Sequence, residues 1–270
     1  MRIDGSAAYR CLMSISSTAC VHPDAQLGPD VSIGPYAVIG AQVRLAEEVV
    51  VGPHCIIEGR TTIGSQTRIF SGAVIGSPPQ DKKHRLDDEV FLEIGQNNII
   101  REYVTINPGT KDGGARTVIG DNNLLMAYAH VAHDCTIGNH CVLANAATLG
   151  GHVTLEDYAI IGGLTAVHQF VRLGYLSIIG GCSKVVQDIP PFSLCDGHPA
   201  RVYNINTVGL KRANISPEVI QTLRRAFRII FHSGLTKPNA ISKVEREFGP
   251  GAEIQRLLVF LRTSQRGICS

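Results

Sequence analysis

Aliphatic residues recur at every sixth position over most of this chain, and no other feature limits its fold so strongly. Leu125, Val131, Ile137, Leu143, Leu149, Leu155, Ile161, Val167, Leu173, Ile179 and Val185 keep one register, and the same spacing runs upstream from Val21 through Leu27, Ile33, Ile39, Leu45, Val51, Ile57, Ile63 and Ile69 to Ile75. A period of six held this long marks a hexapeptide-repeat solenoid and takes precedence over any local helix or strand reading. Two residues before each upstream aliphatic stands a small or β-branched side chain, as at Ala25, Val31, Ala37, Val43, Cys55 and Thr61. Glycine often follows the aliphatic, as at Gly28, Gly34, Gly40, Gly52 and Gly64. Each hexad is therefore expected to form a short strand and a turn, with the aliphatic pointing inward and glycine taking unusual backbone angles at the corner.

Three hexads close one triangular coil of about 18 residues. The predicted fold is mainly β: a left-handed parallel β-helix of hexapeptide repeats, followed by a C-terminal α-helical domain. A single coil cannot bury its inner face, but stacked coils share one aliphatic column. Each buried aliphatic contributes ~1.5–3 kcal/mol before chain entropy is subtracted. Such a column sustains a fold with 6% aromatic residues and no Trp.

The register breaks twice, between Ile75 and Ile94 and between Ile106 and Ile119, where the chain turns polar and rich in Pro, Asp and Gly. A solenoid puts such insertions outside its prism, so loops are expected near 77–93 and 107–118. Residues 1–18 carry no repeat and read as an N-terminal extension, leaving the β-helix at 19–192 and a connector with the helical domain at 193–270. Helical periodicity appears from Ser216, a suitable N-cap before Pro217, with Gly234 as a stop. Val219, Ile220, Leu223, Ala226, Phe227, Ile230 and Phe231 form an apolar stripe opposite Arg224, Arg225, Arg228 and His232. A second helix follows Pro238 and a third runs near Ala252 to Thr263.

Composition excludes several classes. With 44% hydrophobic and 18% charged residues the chain is globular rather than disordered. No apolar run approaches the ~20 residues of a bilayer span, and the first residues lack the pattern of a secretory signal. The eight Cys form no CxxC pair and several occupy small-residue slots, which suits reduced core thiols in the cytoplasm. Residues 201–270 hold 12 Lys/Arg against 4 Asp/Glu, whereas residues 1–200 hold 13 against 19. A basic tail on an acidic body suggests an acidic partner. Nucleic acid is disfavoured, because no aromatic interleaving or nucleic-acid motif accompanies the charge.

Counting by coils also gathers side chains. The hexads beginning at Val131, Leu149 and Val167 lie on one face and contain His133, His152 and His168, with His130 at the preceding corner. Clustered imidazoles suit a general base, which Asp134 could orient, and they equally suit a zinc site. The pairs Gly150-Gly151, Gly162-Gly163 and Gly180-Gly181 suit tight turns or a backbone N–H offered to an oxyanion.

The segments Ala129-His130-Val-Ala-His133-Asp134-Cys-Thr-Ile-Gly138-Asn139, Ala159-Ile-Ile-Gly-Gly163, Thr165-Ala-Val-His168-Gln169-Phe170 and Gly180-Gly-Cys-Ser183 resemble the UDP-N-acetylglucosamine O-acyltransferase family, which opens lipid A biosynthesis. The likeness runs from about Val21 into the helical tail. It implies transfer of an (R)-3-hydroxyacyl group from acyl carrier protein to the glucosamine 3-hydroxyl of UDP-N-acetylglucosamine, by a cytoplasmic homotrimer with sites between subunits and without metal or cofactor. It also implies His133 as general base, Asp134 as its support and Gly151 as the oxyanion donor. His130, His152, His168 and Gln169 would position the substrates, and Gln80, Asp81 and Lys83 would approach from an adjoining subunit. Asn206 and Arg212 match nucleotide contacts, and Gly181 matches the position that limits the acyl groove. Two departures stand in the tail: Val208 where the family commonly has Glu, and Ala213 where a second Arg is common. Two rivals use the same residues differently: a β-helical metal hydratase with histidine ligands, and a non-catalytic scaffold.

Overall fold

A computed structural model describes residues 15–85 and 87–270. Most of the repeat strands are two residues long, and successive strands belong to three different parallel sheets. Leu125 pairs with Leu143, Val131 with Leu149 and Ile137 with Leu155, so each coil lies directly on the next. The result is a left-handed parallel β-helix with the six-spaced aliphatics buried along its axis. Ile15 bridges to Ile33, which adds one hexad ahead of Val21. The reading of the first residues as an extension otherwise falls on 1–14, outside the described residues.

Both insertions leave the ladder in phase: Ile75 pairs with Ile106, and Ile106 with Val131. The loops are joined at their bases, where the buried Asn107 amide donates to the carbonyls of Ser77 and Pro78 at 3.0 and 3.2 Å. Buried Asn98 spans the same region by donating to the carbonyls of Gly95 and Gly120. The two amide NH2 groups thus find carbonyl partners in place of water, although Asn107 Oδ1 is buried without one.

Of the glycines that follow the aliphatics, Gly76 takes the expected left-handed angle at φ 84°, but Gly28, Gly34, Gly40, Gly52 and Gly64 do not. The left-handed corner positions are held instead by residues such as Tyr36, His54, Asp134, His152 and Phe170, with φ between 54 and 65°. Gly34 and Gly64 are needed for proximity: a Cβ on Gly34 would lie 2.8 Å from Pro53 N, and one on Gly64 2.5 Å from Gly95 C. Adjacent coils simply come too close there for a side chain.

Past Val185 the ladder continues. Strand Ser193–Gly197 pairs in parallel with Ile178–Ile179, then turns back into the antiparallel strand Ala200–Ile205. Helices α1 (Thr207–Arg212), α2 (Pro217–His232), α3 (Lys237–Phe248) and α4 (Ala252–Thr263) follow. Ser216 caps α2 by accepting from Val219 N–H, and Gly234 follows its end at φ 73°. Ile220, Leu223, Ala226, Phe227 and Ile230 are buried, whereas Arg224, Arg225, Arg228 and His232 are exposed. Arg225 pairs with Glu247 and Arg262 with Glu245, both at 2.6 Å. The last residues return to the β-helix: Asp188 donates to Gly267 C=O and its carboxylate accepts from Ser264 and from the Arg172 N–H.

The cysteines at 55, 135, 141, 195 and 269 are buried and free. Burial pushes the Cys135 and Cys141 thiols up to about 12, so they are packing groups and not nucleophiles.

Candidate active site

The site forms at one corner of the β-helix, between strands His130–Val131 and Thr136–Ile137. Asp134 occupies the left-handed corner position at φ 59°, and its side chain is only 2% exposed. Its backbone N–H donates to Thr117 Oγ1 at 2.8 Å. The second insertion folds over the carboxylate: Thr110 N–H donates to Oδ1 at 2.9 Å and Thr110 Oγ1 donates to Oδ2 at 2.7 Å. His133 Nδ1 reaches the same Oδ2 at 2.7 Å, and His152 Nε2 stands 3.7 Å from it.

An ionised carboxylate only accepts, so the nitrogen facing it carries the proton. His133 thus presents a bare Nε2, which has no hydrogen-bond partner among the described residues, while the ring keeps 16% of its surface open. This arrangement can take a proton from a hydroxyl and stabilise the imidazolium that results. Half-buried His130 meets Thr105 Oγ1 through Nδ1 at 2.7 Å. Burial, and then the nearby charge of His133, hold His130 below the usual imidazole range, which favours its neutral form.

The hexads of His133, His152 and His168 stack as coil counting expects. Among the described residues His168 has no hydrogen bond or ring contact with His133 or His152; it is exposed, and its Nδ1 lies 3.1 Å from the Gln169 carbonyl oxygen. The three histidines occupy different places within their hexads, one, two and three residues after the buried aliphatic. The column that contains Asp134 runs instead through His152 to Phe170. His152 stacks on Phe170 at 4.4 Å and meets the edge of His133 at 5.2 Å.

Gly151 lies one coil beyond His133, and a Cβ there would stand 2.5 Å from His133 Cε1 and 2.7 Å from Nε2. The imidazole therefore fills the space that a side chain would take. Gly181 is exposed, and a Cβ on it would face Gly163 O at 3.2 Å. Gln169 is exposed beside the site.

Other predicted residues lie apart. Gln80 and Lys83 are exposed in the first loop, where Asp81 Oδ1 accepts from Lys83 N–H at 2.9 Å. No hydrogen bond joins these three to His133 among the described residues. Asn206 is buried and committed to the fold: its Oδ1 accepts from Gly209 N–H and its Nδ2 donates to Leu176 C=O, both at 2.9 Å. It caps α1 in this structure. Arg212 is exposed in the last turn of that helix.

His133, Asp134 and His152 offer three possible metal-ligand atoms within 4.8 Å of one another. Yet Asp134 already accepts from Thr110 and His133, and His168 is not part of this group, so no three-histidine set is gathered among the described residues. Thr105, Thr110, Thr117 and Phe170 are the site residues that sequence spacing did not select. Phe170 was accessible by adding 18 to His152, whereas Thr110 lies in a stretch where the repeat is interrupted.

A hexapeptide β-helix with a carboxylate-held imidazole at its corner defines a hexapeptide-repeat transferase, and residues 116–151 match the family described as "Bacterial transferase hexapeptide (six repeats)". Residues 188–269 match "Udp N-acetylglucosamine O-acyltransferase; Domain 2". A Syntrophobacter fumaroxidans acyl-[acyl-carrier-protein]--UDP-N-acetylglucosamine O-acyltransferase is 46% identical, covering 95% of this chain and 99% of that protein. The Thermodesulfovibrio yellowstonii protein of the same name is 47% identical over 94% and 98% of the two chains. Among solved structures, a Bacteroides fragilis UDP-N-acetylglucosamine acyltransferase superposes with TM-score 0.93 at 40% identity, covering 95% of this chain and all of that one. This chain belongs to the UDP-N-acetylglucosamine O-acyltransferase family, and it is an acyltransferase.

Gly151→Ala is expected to displace the His133 ring and lower turnover by about 100-fold, the scale of a 1 Å misplacement of a reacting group. Steady-state turnover measured alongside the thermal unfolding midpoint checks it, with the midpoint staying near wild type.

Proposed function

We propose that this enzyme transfers an (R)-3-hydroxyacyl chain from the thioester of acyl carrier protein to the 3-hydroxyl of UDP-N-acetylglucosamine. The observation that carries the reading is the His133–Asp134 pair, held at 2.7 Å with Nε2 open, in a chain whose match covers 99% of the Syntrophobacter fumaroxidans relative. His133 Nε2 takes the sugar hydroxyl proton as the oxygen attacks the thioester carbonyl. Asp134 stabilises the imidazolium, and the Gly151 N–H donates to the oxyanion of the tetrahedral intermediate. Collapse breaks the C–S bond, and the carrier thiolate leaves with the proton returned from His133. His152, held flat against Phe170, and neutral His130 border the base and position the sugar. His168 and Gln169, exposed on the next coil, are placed to meet either substrate.

The remaining residues are assigned to the assembly. Gln80, Asp81 and Lys83 do not reach the base of their own chain, which fits a homotrimer in which one subunit lends its loop to the next. Arg212 on α1 would meet the nucleotide phosphates. The exposed Arg224 and Arg228 of α2 provide a docking face for the acidic carrier. Gly181 leaves the acyl groove open for a longer chain than a bulky residue would permit. The enzyme is assigned to the cytoplasm, as the family resemblance implies; no helix among the described residues is long and apolar enough to cross a membrane.

A transfer assay with acyl carrier protein thioesters and UDP-N-acetylglucosamine is the decisive experiment. His133→Ala is expected to lower turnover by about 10²–10⁴-fold, the usual worth of a general base; full activity would refute the assignment. Gly181→Met should shift preference toward shorter donors, and an unchanged length profile would count against the groove. Charge reversal of Arg224 and Arg228 to Glu should raise the donor KM at low salt, with the difference fading as ionic strength rises.

A further inference from the structure

We infer that Thr110 is a positioning residue for the acyl transfer reaction, and that the second insertion, residues 107–118, exists to place it on Asp134. The inference rests on the reading of His133 as the general base. Thr110 stands at the N-cap of the 3-10 turn Lys111–Gly113, where a threonine hydroxyl ordinarily accepts from the turn's own backbone. It makes no such bond; its hydroxyl donates to Asp134 Oδ2 at 2.7 Å instead. The turn closes through the Thr110 carbonyl, which accepts from Gly113 and Ala115 N–H at 3.0 and 2.8 Å. That leaves both Thr110 donors free for the carboxylate, and both are used.

The same turn presses on Asp134 from the other side. A Cβ on Gly113 would overlap the carboxylate, 2.2 Å from Oδ2 and 2.3 Å from Cγ. Asp134 is therefore enclosed between Thr110, Gly113 and His133, with Thr117 holding its backbone N–H. Two of these contacts, from Thr110 and Gly113, come from the segment that interrupts the six-residue period, whereas Thr117 belongs to the ladder strand Arg116–Ile119.

The chemical consequence concerns Oδ2. It accepts from Thr110 Oγ1 and His133 Nδ1 at equal distances of 2.7 Å. A donor at Thr110 fixes the carboxylate plane and obliges Oδ2 to act as an acceptor toward the imidazole. His133 is thereby held in the tautomer that bares Nε2 to the substrate hydroxyl. Thr110 touches no reacting atom; it acts through Asp134.

Thr110→Val isolates this role, because valine keeps the backbone N–H to Oδ1, the β-branch and the volume while deleting one hydroxyl. The inference expects kcat to fall by about 10- to 100-fold with both KM values unchanged, the scale of losing a partner that orients a reactive side chain. Thr110→Ser, which restores the hydroxyl without the methyl, should recover kcat to within about 3-fold. Should Thr110→Val not fold, Thr110→Ala against Thr110→Ser makes the same comparison. An unchanged kcat in the hydroxyl-less variant, a change confined to KM, or a serine variant as slow as the hydroxyl-less one would overturn the inference. His133→Ala assayed beside them separates the two levels: if it stays active, the general-base reading fails; if it is inactive while Thr110→Val is normal, only the inference about Thr110 fails.

Discussion

Everything in this molecule depends on coil lying on coil. Parallel strands two residues long bury almost nothing alone, and each acquires its hydrogen bonds and its apolar neighbours from the equivalent strand of the next turn. Strand spacing of about 4.8 Å then dictates what each position can hold. Where the backbones approach most closely only glycine fits, as at Gly34 and Gly64. Where they diverge at corners, residues as large as Tyr36 and Phe170 adopt left-handed backbone, a conformation costing a non-glycine residue about 1–2 kcal/mol. The stacked ladder, formed on both sides of each corner, imposes that conformation.

The active corner uses this constraint for chemistry. Because one residue overlies another at each turn, the glycine after Gly150 becomes a recess for His133, and the histidine above Asp134 becomes its neighbour. A buried carboxylate would be costly without partners, and here it has several. The site is therefore held by the repeat, while the interrupting segment adds Thr110 to the carboxylate.

That division explains what could be read from the chain. The aliphatic column, the insertions at Ile75 and Ile106 and the amphipathic stripe of α2 all follow from periodicity, and the structure places them as the period requires. Coil arithmetic located His133 and His152, adjacency added Asp134 and the family resemblance added Gly151, but grouping whole hexads also drew in His168, which stands one residue after its aliphatic and is exposed. Counting individual positions would have kept the first four and replaced His168 with Phe170. Thr110 was beyond such counting because its contact with Asp134 is made by a loop with no period. Asn206 shows the converse: its place in the tail was recognisable, yet its side chain is occupied in capping α1 and binding Leu176 C=O.

The returning C-terminus gives the solenoid a boundary. Parallel β-helices end in open strand edges, and an open edge is a template on which another chain can add. Here Ala200–Ile205 lies antiparallel on Ser193–Gly197, Ile189 bridges to Leu173, and Asp188 is bonded by Gly267 and Cys269. Reversing strand direction at the final rung removes the pattern that a further parallel coil would copy. The tail thus covers the C-terminal end of one sheet of the β-helix with a strand of opposite direction.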